Sequence, residues 1–219
     1  MNRPRRRTAI ISTAVVVAAY RWLYWPLQLR WGATAAEAAR PLPGDALVSR
    51  PHFVAHRAIT IQAPPEAVWP WLVQMGSGRA GWYAWDRLDN AAKASATTVL
   101  EEFQHLAVGD LVPMVAGSEI GLRVKDLEPG RRMLWWDGVG EYTWEWLLEP
   151  VEPGASRLHS RLRVVAHPWT RRVLYEALAA NGDIVMHLRM LRGVKKRAER
   201  LAQTGEASTP ALERSVAPS

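Results

Sequence analysis

Three side chains with different chemistry stand close together at Arg79, Tyr83 and Asp86: a guanidinium, a phenol and a carboxylate within eight residues. Trp82 and Trp85 are interleaved with them. Such a group could polarise a carbonyl, shuttle a proton, or orient an aromatic ligand at the mouth of a cavity. The bland alternative is loop packing, with Arg79 laid on a ring. Asp86 and Asp89 with Asn90 could act as paired carboxylates, but residues of this kind beside a helix end usually form local caps and turns. No Ser, His and carboxylate stand in a pattern that marks a nucleophile.

Other chemistries are weaker. Gly76-Ser77-Gly78-Arg79-Ala80-Gly81 has the literal spacing of a dinucleotide fingerprint, and Glu101 lies downstream. A dinucleotide site needs that loop between a strand and a helix of a βαβ unit. Here it follows an expected helix, so the glycines are read as loop geometry. The histidines at 52, 56, 105, 159, 167 and 187 show no metal-ligand spacing, and there is no Cys, so no thiolate or disulfide is available. No cofactor or metal is expected. His187 could face a cavity, with a surface position the plainer reading.

The elements that must hold these residues follow from periodicity. Residues 56–62 favour a strand, which Pro64 and Pro65 stop. Pro65 suits a first helical position, and Val68, Trp71, Leu72 and Met75 make one helical face, with Pro70 inside it as a predicted kink. Strands are predicted over 110–114, 119–127, 131–136, 142–151 and 156–166, separated by Gly- and Pro-bearing turns as in an antiparallel meander. Tyr142, Trp144, Trp146 and Leu148 share one strand face. Residues 169–178 suggest a short helix. Asn181-Gly182 suggests a break, with Asp183 capping a final helix on which Ile184, Leu188, Leu191 and Val194 line one side.

The run APPEAVWPWLVQMG at 63–76, extended by GRAGWYAWDRLDN at 78–90 and by HLRMLRGVKKRAE at 187–199, resembles the SRPBCC superfamily, the START-like or polyketide cyclase/dehydrase-like helix-grip fold. The resemblance covers about residues 50–203. It implies an α+β domain whose curved antiparallel sheet wraps a long C-terminal helix around a cavity. It also implies a hydrophobic small molecule or lipid as ligand, met by Arg79, Trp82, Tyr83, Trp85, Asp86, Trp144 and Trp146. The superfamily holds both carriers and enzymes. Without a compact acid, base and nucleophile set, binding is the expected role; a cyclase or dehydratase using the same cavity is the alternative.

Composition supports one domain with an added end. The chain has 219 residues, with 12 Trp against 2 Phe, and a net charge of +7. Residues 1–50 carry +6 and residues 169–219 carry +4, while the expected sheet carries −3. That distribution argues against a nucleic-acid-binding face. Arg3, Arg5, Arg6 and Arg7 precede an apolar run over 9–20, followed by Arg21, Trp22, Tyr24 and Trp25. The 22 residues from 8 to 29 are long enough to span a bilayer, with aromatics at the interface. The expected organisation is a membrane-anchor helix within 1–30, a linker over 31–50, the domain over 51–203 and a disordered tail over 204–219. A single-pass anchor with the domain outside the cytoplasm follows from the positive-inside rule. A cleaved signal ending near Ala33-Thr34-Ala35, or an amphipathic helix on a secreted or cytoplasmic protein, remain alternatives.

Overall fold

Pro64 closes the first strand and Pro65 opens the helix behind it, as their fixed φ and missing N–H require. The computed structural model describes residues 12, 15, 17–115, 117–166 and 180–208. β1 (Phe53–Ile61) is followed by α3 (Pro65–Val73), after α1 (Trp25–Leu29) and α2 (Ala35–Ala39) of the N-terminal region. Then come α4 (Asp86–Asp89), β2 (Leu111–Pro113), β3 (Gly121–Glu128), β4 (Arg132–Trp136), β5 (Tyr142–Glu152), β6 (Ala155–Val164) and α5 (Ala180–Ser208). Residues 93–106 contain only one short 3-10 turn, Glu101–Phe103. α3 runs through Pro70 and buries the expected face of Val68, Trp71 and Leu72, with Met75 just beyond.

All six strands form one antiparallel sheet in the order β1-β6-β5-β4-β3-β2. The meander is made by tight turns, with Gly130 and Gly154 at positive φ where a side chain would be strained. The 137–141 turn is held by Asp137, whose carboxylate accepts N–H bonds from Val139, Gly140 and Glu141. On the inner face Trp135, Trp146, Leu148, Leu158 and Leu162 pack with Leu191, Val194 and Ala198 of α5 into one core. This is the helix-grip arrangement.

The final helix differs in two respects from the sequence reading. Asn181-Gly182 lies inside α5 rather than at a break, and Asp183 is drawn inward to Arg57 instead of capping. The buried stripe is Ile184, His187, Leu191, Val194 and Ala198, a three-four spacing that places His187 inside and leaves Leu188 only partly covered. The final helix continues through residues 204–208, where a disordered tail was expected to begin; the rest of that tail and the helix predicted over 169–178 lie outside the described residues.

The outer face of the sheet is also covered. Along β6, Leu158, Leu162 and Val164 point inward, while Arg157, His159, Arg161 and Arg163 point outward and bind the N-terminal region. Arg157 pairs with Glu37 at 2.9 Å, and Glu37 also completes a capping box with Thr34 at the start of α2. Arg161 donates to the carbonyls of Ala38 and Arg40, the orphan acceptors at the end of α2, and to Asp45. Arg163 reaches Asp45 and the Val48 carbonyl, and Arg40 pairs with Glu149. Upstream, the Ala58 N–H donates to the Trp31 carbonyl, so the free edge of β1 is protected. Residues 28–48, expected as the end of an anchor and a linker, are thus strapped across β1, β6 and β5.

The expected apolar anchor falls partly on residues outside the described ones. In its described part Trp25 and Leu29 pack on the core and Gln28 is buried, whereas Trp22, Leu23 and Leu27 are exposed. Among the described residues no helix is long and apolar enough to cross a membrane.

Beneath the strap runs a buried hydrogen-bond relay. Arg161 Nε donates to His56 Nδ1 at 3.0 Å, so His56 carries its hydrogen on Nε2 and gives it to His159 Nδ1 at 3.2 Å. His159 Nε2 then faces Glu149 at 3.2 Å. Burial and the adjacent Arg161 push His56 down from 6.5 to about 3. The Arg157 guanidinium lowers Glu37 from 4.5 to about 2. Both groups give the same sign. Below pH 6.5 the unfolded chain takes up the His56 proton and the folded one does not, until about pH 3. Between 4.5 and 2 the unfolded chain also takes up the Glu37 proton first. Stability is therefore expected to be level above pH 6.5 and to fall on acidification, by about 1.4 kcal/mol per pH unit for each such proton. Urea denaturation at pH 8, 5 and 3 measures this; His56→Gln should lessen the fall between 6.5 and 4.5, the buried imidazoles of His159 and His187 supplying the remainder, and a native profile already flat there contradicts the account.

Candidate functional site

A cavity of about 250 Å³ lies between the inner face of the sheet and α5. Trp144 of β5 and Trp82 of the loop after α3 form one wall, stacked with centroids 5.7 Å apart and 11° between planes. Met186 and Met190 of α5 form the opposite side, with Met114 and Tyr142 at the margin. Thioether side chains adapt to irregular ligand shapes and sit well against rings. Trp144 is fixed from behind: its Nε1 donates to Ser160 Oγ at 2.7 Å, Trp135 meets it edge-on and Trp146 stacks on it at 5.1 Å.

The polar groups of the cavity come from α5 and α4. His187 is 2% exposed and lies 5.4 Å from the Trp144 ring. Asp183, one turn earlier, places Oδ1 3.9 Å from His187 Nδ1, beyond hydrogen-bond reach, and Oδ2 2.6 Å from Arg57 NH1. Arg57 is fully buried on the inner face of β1, and its Nε donates to the Gln28 carbonyl. Burial holds His187 below the usual imidazole range, with Asp183 opposing. Burial would raise Asp183, but His187 and Arg57 outweigh it and hold the carboxyl low. Asp89 also lines the cavity; desolvation raises its carboxyl, and the Trp85 N–H opposes.

The residues expected from the sequence divide into three places. Trp82 and Trp144 line the cavity, and Trp146 lies one layer beneath, against His187. Tyr83, Trp85 and Asp86 belong to a separate, open groove of about 570 Å³ on the far side of α5, beside Arg189, Arg192, Lys196 and Arg197. There the Tyr83 hydroxyl is occupied, donating to the Trp71 carbonyl and accepting from Gln74, and Asp86 accepts from Ser95. Burial raises the Tyr83 phenol well above its ordinary value. α5 crosses this loop so closely that a Cβ on Gly193 would stand 2.3 Å from the Tyr83 carbonyl oxygen. Arg79 is in neither place. It lies over Phe103, donates to the Val73 carbonyl, and ties the glycine loop to the turn at 101–103. Arg79, Tyr83 and Asp86 therefore do not form one chemical group.

Sequence reasoning passed over Arg57, Met186 and Met190, read Asp89 first as a local cap or turn residue and Asp183 as a helix cap, and placed His187 on the surface as its plainer reading. The signals were present: Asp183 and His187 stand one helical turn apart, and Arg57 interrupts the inward series Ala55, Ile59, Ile61. Among the described residues no group of His, Asp and Glu could hold a metal ion.

No family model matches the chain, and no curated protein matches it. The chain is similar to solved structures at low identity. The Polyketide_cyc-like protein Cgl2372 from Corynebacterium glutamicum is 16% identical over 77% of this chain and 99% of that one, with a TM-score of 0.34. Protein MLL2253 from Mesorhizobium loti is 17% identical over 68% and 98%, at 0.41. Aha1 from Colwellia psychrerythraea, solved as a dimer, is 16% identical over 65% and 96%, at 0.37. The helix-grip arrangement itself is read from this chain's own strand order and final helix.

The division of the expected cluster can be tested with a neutral bicyclic probe such as naphthalene. Trp82→Phe should weaken its binding more than it lowers the melting temperature. Tyr83→Phe should leave binding unchanged while costing about 1–2 kcal/mol of stability through its lost hydrogen bonds. Calorimetric titration and thermal melts of both variants measure the two quantities; binding that follows Tyr83 and ignores Trp82 would move the site to the outer groove.

Proposed function

We propose that this protein is a binding module that holds an apolar small molecule between its sheet and C-terminal helix. The observation that carries this reading is the cavity wall of stacked Trp82 and Trp144 facing Met186 and Met190. Ligand pockets are mostly apolar, with a few placed polar groups, and usually exceed about 300 Å³. A cavity of about 250 Å³ fits one or two fused rings rather than a whole lipid. The second reading is an enzyme of the cyclase or dehydratase kind, favoured by the Asp183 and His187 pair beside the cavity. Proton transfer there would use His187 as base or acid.

The N-terminal segment supports a membrane location for the same module. Arg3 to Arg7 precede the apolar run, and Trp22, Leu23 and Leu27 are exposed beyond it. In this reading the domain sits across the bilayer from the four arginines.

Purified protein is expected to bind naphthalene saturably at one site by calorimetry, and to release a small apolar molecule on denaturation, visible by mass spectrometry. A folded protein that binds no such probe contradicts the module. Conversion of poly-β-ketone substrates that disappears in His187→Gln would establish the enzyme reading instead. Separately, full-length protein should sediment with membranes after lysis and ultracentrifugation; recovery in the supernatant would remove the anchor.

A further inference from the structure

We propose that the outward face of α5, with Trp85 beside it, is a docking surface for an anionic phospholipid bilayer. The inference does not use the cavity reading, and it stands whether or not the N-terminal run is an anchor.

Arg189, Arg192, Lys196 and Arg200 are all exposed and follow one another at a three- or four-residue spacing, on the side of α5 turned away from the sheet. They span about 16 Å of helix. Among the described residues none of the four forms an ion pair, because the acids nearby are used elsewhere. Asp86 accepts from Ser95, and Glu199 pairs with Lys195 and accepts the Gln62 N–H. Arg189 gives its Nε hydrogen to the Ala84 carbonyl, which fixes the side chain without neutralising it. A single small anion needs donors that converge. Charges one turn apart along a convex helix form a row instead, and a row fits the phosphates of a headgroup plane, at about fivefold in affinity for each cation.

Apolar groups stand among the cations. Trp85 is 42% exposed beneath Arg189, and Val185 is 56% exposed; both line the outer groove. A Trp in such a place suits the headgroup boundary, where its ring and its N–H are both satisfied. The N-terminal segment comes to the same helix. Asn181 donates to the Tyr20 hydroxyl at 2.9 Å, and Arg192 lies over the Trp31 ring at 5.4 Å. Between those two contacts Trp22, Leu23 and Leu27 are exposed, which adds apolar surface next to the row.

The chain has no Cys, so one introduced thiol carries one label. Val185→Cys reports on the row, and Lys125→Cys, over Trp136 on the outer face of the sheet, serves as control. Each full chain, labelled with an environment-sensitive fluorophore and checked by thermal melt, is mixed with vesicles of phosphatidylcholine alone or in equal parts with phosphatidylglycerol. The expected result at position 185 is a blue shift and loss of acrylamide quenching with the anionic vesicles alone. Both should be reversed between about 0.1 and 1 M salt, where the screening length falls to about 3 Å. Arg192→Gln with Lys196→Gln should remove most of the shift, and the control label should not respond. Sedimentation with the neutral vesicles tests the anchor separately: a chain that ignores them but shifts with anionic ones loses the anchor and keeps this surface. Equal shifts in both lipids, or none in either, overturn the inference. Polyglutamate that reproduces the shift and displaces the vesicles overturns it in favour of an acidic protein segment.

Discussion

A single buried guanidinium joins three parts of this chain. Arg57 lies on the inner face of β1, where its neighbours are apolar, and it has no solvent exposure. Its Nε binds the Gln28 carbonyl of the N-terminal region, and its NH1 binds Asp183 of α5. A buried ion pair adds little net stability compared with an apolar replacement, but removing one partner costs roughly 3–5 kcal/mol because the other charge is stranded. Its consequence here is geometric. The pair with Asp183 holds α5 in the rotation that its buried stripe of Ile184, Leu191, Val194 and Ala198 also requires. That rotation turns His187 and Met190 toward the sheet and Leu188 partly away. The polar end of the cavity depends on it.

Along β1, β6 and β5 the sheet is covered on both faces, by different chemistry. The inner face is apolar and aromatic, and is closed by α3 and α5. The outer face is a row of arginines on β6, closed by a short strap of chain that supplies carboxylates and carbonyls. A strap of this length has too little apolar surface to bury a sheet face by hydrophobic contact alone. Multiple charge-assisted hydrogen bonds, each to a defined atom, hold it instead. The relay from Arg161 through His56 and His159 to Glu149 satisfies the imidazoles beneath it in neutral form.

The cavity and the outer groove show how one aromatic segment serves two surfaces. Trp82 turns inward to stack on Trp144, while Tyr83, at positive φ, turns to the opposite side of α5. Gly193 permits this by letting the helix backbone pass against the Tyr83 carbonyl. The groove beyond is rich in arginine and lysine, with Trp85 beneath Arg189 at 4.0 Å. Its polar groups are largely engaged with backbone carbonyls, as Arg189 is with Ala84 and Arg197 with Ala96. The interior is where buried hydrogen-bonding capacity stays unused.

Much of the architecture was determined locally. Pro64 and Pro65 stop a strand and start a helix whatever surrounds them, and the glycine turns after β3 and β5 set the meander. Most strand bounds and the apolar face of α3 were legible for that reason, although β1 begins at Phe53 and not at 56, and Trp144 with Trp146 could be assigned to one face of β5 by alternation alone. The odd-numbered arginines of β6 alternate just as cleanly, yet their role was hidden because their partners lie more than 110 residues away, at Glu37 and Asp45. The same separation explains the site. Proximity in sequence suggested Arg79, Tyr83 and Asp86 as one group, but Arg79 turns to Phe103 and the Val73 carbonyl while Tyr83 and Asp86 face the outer groove. Arg57, Asp89, Asp183 and His187 come from two helices and a strand. Only the docking of α5 against the sheet brings them together, because burial of a charge and its partner is decided by the whole core and not by any one segment.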